Sequence, residues 1–436
     1  MKTKIARITL RPILFAAGGM MLLLASLTPR AYATPLATIT VTNNLDETTG
    51  GNGCSLREAI TNSNNNAATH SDCAAGSSAD MIHFSIGGGG TQTIMPSSAL
   101  PTITDPVTID GTTQPSCSVP CIVLNGSSAG GSADGLYITA GSSTVKGLVI
   151  NSFGERGITI ETGGSNIIIG NYIGTDATGT VAMGNGNDGV GILYSSNNRI
   201  GGTTASERNI ISNCGGCYGG VNILFSASTG NLVQGNYIGT DVTGKVAMGN
   251  NAGVIIADDA VNNTVGGTAP GAGNLIRFNA TGVVIGYGTS AISDLEAGNR
   301  IQRNRIFSNT DQGIGLGWDE LVTPNDALDA DTGPNKLQNF PVITKADSVT
   351  KKLKGTLHST PNTMFTLEFF KNGSCDTSGN GQGKKYIGTK TVTTDANGDA
   401  TFKVTTKKFK AGKPVTATAI DPDGNTSEFS LCKTAS

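Results

Sequence analysis

The chain has 436 residues, of which 14% are charged and 37% hydrophobic, with a net charge of -2 at pH 7. The sum hides an asymmetry: residues 34–344 carry 11 Lys plus Arg against 24 Asp plus Glu, a net of -13, whereas residues 345–436 carry 14 Lys, no Arg and 8 acids, a net of +6. Two regions of opposite sign are implied, and the acidic one should repel nucleic acid and any polyanion unless a divalent cation intervenes.

Residues 1–33 read as a secretory signal. Lys2, Lys4, Arg7 and Arg11 precede an apolar stretch from Ile13 to Leu27, and Ala31-Tyr-Ala33 offers a small-x-small cleavage site. The stretch is interrupted by Gly18 and Gly19 and falls short of the roughly 20 residues needed to span a bilayer. The mature chain is therefore expected to start at Thr34, to be secreted or held at the cell surface, and to contain no membrane span. Eight cysteines suit disulfides in such a compartment, and their spacing suggests four local pairs: Cys54 with Cys73, Cys117 with Cys121, Cys214 with Cys217, and Cys375 with Cys432. Zinc at Cys214 and Cys217 would need a second ligand pair, and no His lies between residues 84 and 357.

Residues 34–78 contain Cys54-Ser-Leu-Arg-Glu-Ala-Ile60, which predicts a short helix with Ser55 and Glu58 as a capping box and Leu56, Ala59 and Ile60 on one face. From 79 to 320 the chain repeats itself. Asn171-Tyr-Ile-Gly-Thr-Asp-Ala-Thr-Gly-Thr-Val-Ala-Met-Gly-Asn185 returns 65 residues later, nearly unchanged, as the segment from Asn236 to Asn250. A shorter period underlies it. Gly157, Gly189, Gly220, Gly253, Gly282 and Gly313 each open a Gly-(Val/Ile)-x-(Ile/Leu) segment, at steps of 32, 31, 33, 29 and 31 residues. Alternation within each segment marks a strand with one buried face, so the first and third residues after Gly should point inward.

Two further columns accompany this one. Ile168, Ile200, Val233, Val265 and Ile301 follow Asn166, Asn198, Asn231, Asn263 and Asn299; Ile173, Ile211, Ile238, Ile276 and Ile306 follow Asn171, Asn209, Asn236, Asn274 and Asn304. Three strands per coil follow. Asparagine recurring at one corner suits a turn, because it tolerates a left-handed backbone and can bond to its copies in neighbouring coils. The Thr-Asp-x-Thr-Gly segments lack alternation and are predicted to be loops bulging from one corner at every second coil. A coil cannot bury its apolar face alone, so the units must stack into a solenoid whose open ends need caps.

This pattern resembles the right-handed parallel β-helix, the fold of pectate-lyase-like proteins. The string Cys54-Ser-Leu-Arg-Glu-Ala59, together with the Ile-Gly-Thr-Asp-x-Thr-Gly repeats, is similar to the CSLREA family of exported bacterial proteins. The resemblance implies a secreted or surface β-helix protein with no family-wide enzymatic activity.

Residues 321–344, with Pro324, Gly333, Pro334 and Pro341, suit a connector. Residues 345–436 hold short β-rich runs separated by turn signals, the pattern of an immunoglobulin-like β-sandwich. The fold class expected is all-β: a parallel β-helix with an N-terminal helical cap and a C-terminal sandwich.

For a site, residues five past each repeat glycine form a column of Tyr194, Phe225, Asp258, Tyr287 and Trp318. Facing outward it would be a platform for sugar rings, with Asp258, Asp259, Arg300, Arg303 and Arg305 as polar partners; facing inward it would be core packing. Asp326, Asp329 and Asp331 have the close oxygen spacing a calcium loop uses, the alternative being a plain, solvated acidic linker. No other cofactor is expected. Two functions remain open. One is a non-enzymatic structural or adhesive protein contacting extracellular polysaccharide, surface glycan or matrix; the other is a polysaccharide lyase or glycoside hydrolase using Asp258, Asp259 and Arg305.

Overall fold

The structure is a computed structural model describing residues 36–214, 219–286, 296–317, 321–376 and 378–436. Three parallel sheets of nine, eight and seven strands run the length of a right-handed β-helix. The columns read from sequence are the registers observed. Val190 pairs with Ile158 and Val221, Val254 pairs with Val221 and Val283, and Val283 pairs with Ile314. The other two columns align likewise, as Ile200 with Val233 and Ile211 with Ile238. Their side chains are buried in one continuous core. No helix among the described residues is long and apolar enough to cross a membrane.

Asparagine ladders close the corners between sheets. The backbone N–H and Nδ2 of Asn198 both donate to Asn231 Oδ1 at 2.9 Å, and Asn231 repeats the pattern onto Asn263 at 3.0 Å. The Nδ2 of Asn231 also reaches a backbone carbonyl, Ser195 O at 3.0 Å, and that of Asn198 the Ser195 hydroxyl at 2.8 Å. Asn171, Asn209, Asn236, Asn274 and Asn304 build a second ladder in the same way. Asparagine, with a short carbonyl and an amide donor, satisfies both the coil below and the coil above. The left-handed backbone falls one residue earlier in the first ladder: Ser165, Asn197, Gly230, Asn262 and Gly298 have φ between +57° and +72°.

A third ladder, not expected from the sequence, closes another corner. Asn250, Asn279 and Asn309 bond in series, the Nδ2 of Asn250 donating to Asn279 Oδ1 at 3.0 Å and that of Asn279 to Asn309 at 3.2 Å. Cys214 occupies a rung of it, with its N–H donating to Asn250 Oδ1 at 3.0 Å. This corrects one expected disulfide. Cys54–Cys73, Cys117–Cys121 and Cys375–Cys432 are formed, but Cys214 is a free thiol. Its sulfur points into the core where the other rungs place an amide, and Cys217 lies outside the described residues.

The Thr-Asp-x-Thr-Gly segments are tight loops organised by their aspartates. Asp176 Oδ1 accepts from the N–H groups of Thr180 and Val181, and Asp241 Oδ1 from those of Lys245 and Val246. The two loops touch across the intervening coil, Val242 N donating to Gly179 O at 2.9 Å. Beneath them lies a small outer apolar cluster of Val123, Val149, Tyr172 and Ile210.

At the N-terminal end, strand Ala37–Val41 already pairs with Asp80–Phe84, so the ladder begins upstream of the cap and the helix Leu56–Asn65 is inserted between two paired strands. The capping box is present, and Leu56, Ala59 and Ile60 are buried against the core. The C-terminal region is a sandwich of a three-stranded antiparallel sheet (Val342–Asp347, Lys352–His358, Asp399–Thr405) and a four-stranded one (Lys385–Thr393, Met364–Lys371, Pro414–Ile420, Lys433–Thr434).

The sandwich is joined to the solenoid by more than a tether. Asn335, within the expected connector, is the next rung of the first ladder: Asn299 N donates to its Oδ1 at 3.0 Å, and its Nδ2 donates to Asn299 O at 2.7 Å. Gln382, from the sandwich, takes the next rung of the third ladder, accepting from Asn309 N and Nδ2 at 3.2 Å and returning its own amide to Asn309 O at 2.9 Å. Phe370 and Phe429 meet edge to face at 5.4 Å and complete the solenoid core.

Candidate functional site

The column five residues past the repeat glycine lies at a corner, just after the strands of the seven-stranded sheet. Tyr194, Phe225 and Asp258 share a left-handed backbone with φ of 50°, 74° and 54°. That turn swings each side chain away from the core, and it resolves the inward or outward choice for the two rings described. Tyr194 is 46% exposed and Phe225 half-buried; the rings stack at 4.3 Å with planes 7° apart. Tyr287 and Trp318 lie outside the described residues.

One step along the corner, exposed Asp258 and half-buried Asp259 meet Glu296, which is 3% exposed. Asp259 N donates to Glu296 Oε1 at 3.1 Å. Burial first, and the neighbouring Asp259 charge second, raise the Asp258 pKa; burial is also the main cause of the rise at Glu296, with the two aspartates adding to it. Glu296 Oε2 and Asp259 Oδ1 are buried without a partner among the described residues. Aromatic faces beside carboxylate acceptors can take the C–H face of a sugar and its hydroxyls. Nothing in the sequence pointed to Glu296, which is separated from Asp259 by 37 positions.

The arginines expected to accompany this corner are placed elsewhere. Arg303 serves the junction: its N–H donates to the buried Glu368 at 2.9 Å, its guanidinium lies 3.5 Å from the same carboxylate, and Nη1 donates to Thr268 O. Arg300 packs against Gly424, where a Cβ would come within 3.2 Å of its guanidinium. Arg305 stands on strand Arg305–Ile306 of the eight-stranded sheet, away from the strand end that carries Asp258 in the seven-stranded one.

Asp326, Asp329 and Asp331 do converge, each offering an oxygen within 4.8 Å of the others. Burial, with Asp331 and Asp326 as neighbours, pushes Asp329 up to about 6, even though Ser359 Oγ and Asn339 N donate to it. Asp331 rises through burial and the Asp326 charge, and its Oδ1 is buried without a partner among the described residues. Two desolvated carboxylates with a third, Asp326, converging on them fit an oxygen-preferring divalent cation. The cluster of Glu58, Asp72 and Cys73 does not fit, because Cys73 is in a disulfide and Glu58 holds the helix cap.

No protein-family model matches the chain, and no curated protein matches it. Among solved structures it is similar to a tailspike protein, gp49, of Acinetobacter baumannii bacteriophage Fri1, a capsular polysaccharide depolymerase. The identity is 11% over 82% of this chain and 68% of that one, with a TM-score of 0.14, a likeness too slight to carry an argument.

Proposed function

We propose that the chain is an exported, non-enzymatic β-helix protein that holds extracellular polysaccharide or surface glycan on the corner carrying Tyr194 and Phe225. The observation that carries this reading is the parallel ring stack at 4.3 Å with Tyr194 open to solvent. Exposed, preorganised aromatic faces bind sugar rings at little entropic cost, and Asp258 supplies an acceptor beside them. Export rests on the signal in residues 1–33 and is supported by three disulfides. Membership of the CSLREA family rests on residues 54–59, and the domains are assigned as a cap within 34–78 that also contributes the first solenoid strand Ala37–Val41, a solenoid to 320, a connector from 321 and an immunoglobulin-like sandwich from its first strand at Val342. The three-plus-four strand arrangement, with the fourth strand paired to the third, suits that last assignment. Calcium at Asp326, Asp329 and Asp331 would be structural, fixing the connector against the sandwich.

A second reading, a polysaccharide lyase or hydrolase, draws on Asp258 and Glu296, two neighbouring carboxyls whose pKa values burial raises, the direction a general acid requires. Affinity electrophoresis of the mature chain through neutral and acidic polysaccharides separates the two. Retardation weakened roughly three- to tenfold by Tyr194→Ala or Phe225→Ala, with no new reducing or unsaturated ends, is the expected result. Release of such ends, abolished in Asp258→Ala, would establish the second reading instead.

A further inference from the structure

The strongest concentration of charge outside this corner lies at the junction of solenoid and sandwich. A cavity of about 540 Å³ is lined by Arg305, Lys371, Lys384, Lys385, Lys410 and Lys413, with Asn372 and Gly373 the remaining walls. No carboxylate lines it. Among the described residues, none of these six cations takes part in an ion pair. Five come from the sandwich, and Arg305 comes from the last strand of the eight-stranded sheet, which reaches the sandwich through the paired backbones of Ile306 and Gly383.

The arrangement costs stability. Lys371 and Lys385 are direct cross-strand partners at the end of an antiparallel pair, where like charges destabilise. Burial and the charges of Lys385 and Lys410 lower the Lys371 pKa. Two ammonium groups are nonetheless held in place by carbonyls instead of carboxylates: Lys371 Nζ donates to Lys408 O at 2.7 Å, and Lys413 Nζ to Gly373 O at 3.1 Å. Each is therefore positioned without a carboxylate partner and keeps donors for a ligand. Beside the cavity the Phe307 ring has Lys384 Nζ at 5.1 Å and the Arg305 guanidinium at 5.6 Å from its centroid. A second, smaller hollow of about 180 Å³ continues past Phe307 and Lys384 to Ser374 and Asp376.

We infer that this junction cavity is a binding site for a polyanion carrying phosphate or sulfate groups. One monovalent ion could not offset six like charges in so small a space, whereas closely spaced multivalent groups could. The ammonium groups suit phosphate or sulfate as point charges, and Arg305 adds a planar fork on the solenoid side. The site is separate from the aromatic corner and does not depend on the glycan reading of it. It reverses, at one place, the polyanion repulsion expected from the acidic solenoid.

The test is calorimetric titration of the mature chain with inorganic polyphosphate and, separately, with a sulfated glycan, at low and moderate salt. Binding of one or both that weakens with salt is expected, and the arm that binds identifies the source of the anion. The double variant Lys384→Gln/Lys385→Gln should lose at least tenfold in affinity, whereas Lys354→Gln/Lys403→Gln, an equal charge change on the other sheet, should lose less than threefold. The ligand-free unfolding temperature should rise in the first variant, because Lys371 loses its repelling partner; this readout also shows that the variant is folded. Absence of binding in both arms, or equal losses in the two double variants, would overturn the site.

Discussion

The two ends of the solenoid are closed by different means. At the N-terminal end a ten-residue helix, inserted between two paired strands, covers the core with Leu56, Ala59 and Ile60 and is pinned by Cys54–Cys73. At the C-terminal end a whole sandwich does so, and it imitates the solenoid while ending it: Asn335 and Gln382 act as further rungs, and Phe370 and Phe429 supply core. The helix covers the core without extending the asparagine ladders, whereas the sandwich takes the next rung of the first and third ladders itself.

The largest effect should come from removing the sandwich. A chain ended after Asp331 exposes Ile301, Ile306, Ile314 and Leu316 together with unpaired strand edges. It should aggregate, or elute as large oligomers in size exclusion with light scattering; a monodisperse β-rich monomer would mean the sandwich is only an appendage. Next, Cys54→Ser/Cys73→Ser should cost about 3 kcal/mol in urea unfolding, by the loop-closure argument for a separation of 19 residues. Removing Cys117–Cys121, which closes a separation of only 4, should cost clearly less. If the two losses were equal, the first bridge would not be the cap's fastener.

A smaller loss, about 1 to 3 kcal/mol, is expected for Gln382→Ala, which leaves the N–H and Nδ2 of buried Asn309 without their acceptor. The smallest effect concerns the acidic cluster beside the connector. Asp329 is raised to about 6 in the folded chain, against about 3.9 when unfolded, so the folded state binds its proton more tightly. Stability without calcium should therefore increase as pH falls from about 6 towards 4 and be lost as pH rises through 6. Asp329→Asn should flatten part of that slope in thermal unfolding, leaving the share of buried Asp188, which is also raised to about 6. Calcium should raise the unfolding temperature of the parent near neutral pH and leave that of the variant unchanged; equal responses would exclude this metal site.

The solenoid was legible because its register is written as a period: one apolar column fixes which residues pair, and Val190, Val221 and Val254 lie where the alignment of glycines put them. The third asparagine ladder was hidden because one of its rungs is Cys214 and its asparagines are not followed by the x-(Ile/Val) pattern that marks the other two. Cys214 was misread because a Cys-Gly-Gly-Cys string suggests a local pair, whereas the coil uses residue 214 as a rung. The docking of Asn335 and Gln382 left no trace in sequence, since no period extends across a change of fold. Glu296 and the cluster of lysines at the junction likewise depend on segments that only the tertiary structure brings together.

The claim that solenoid and sandwich form one body is tested most directly by differential scanning calorimetry of the mature chain. Shared rungs and a shared core predict a single transition, whose calorimetric enthalpy matches its van't Hoff enthalpy and which moves as a whole in Gln382→Ala. Two separable transitions, with only one shifted by that substitution, would contradict the account.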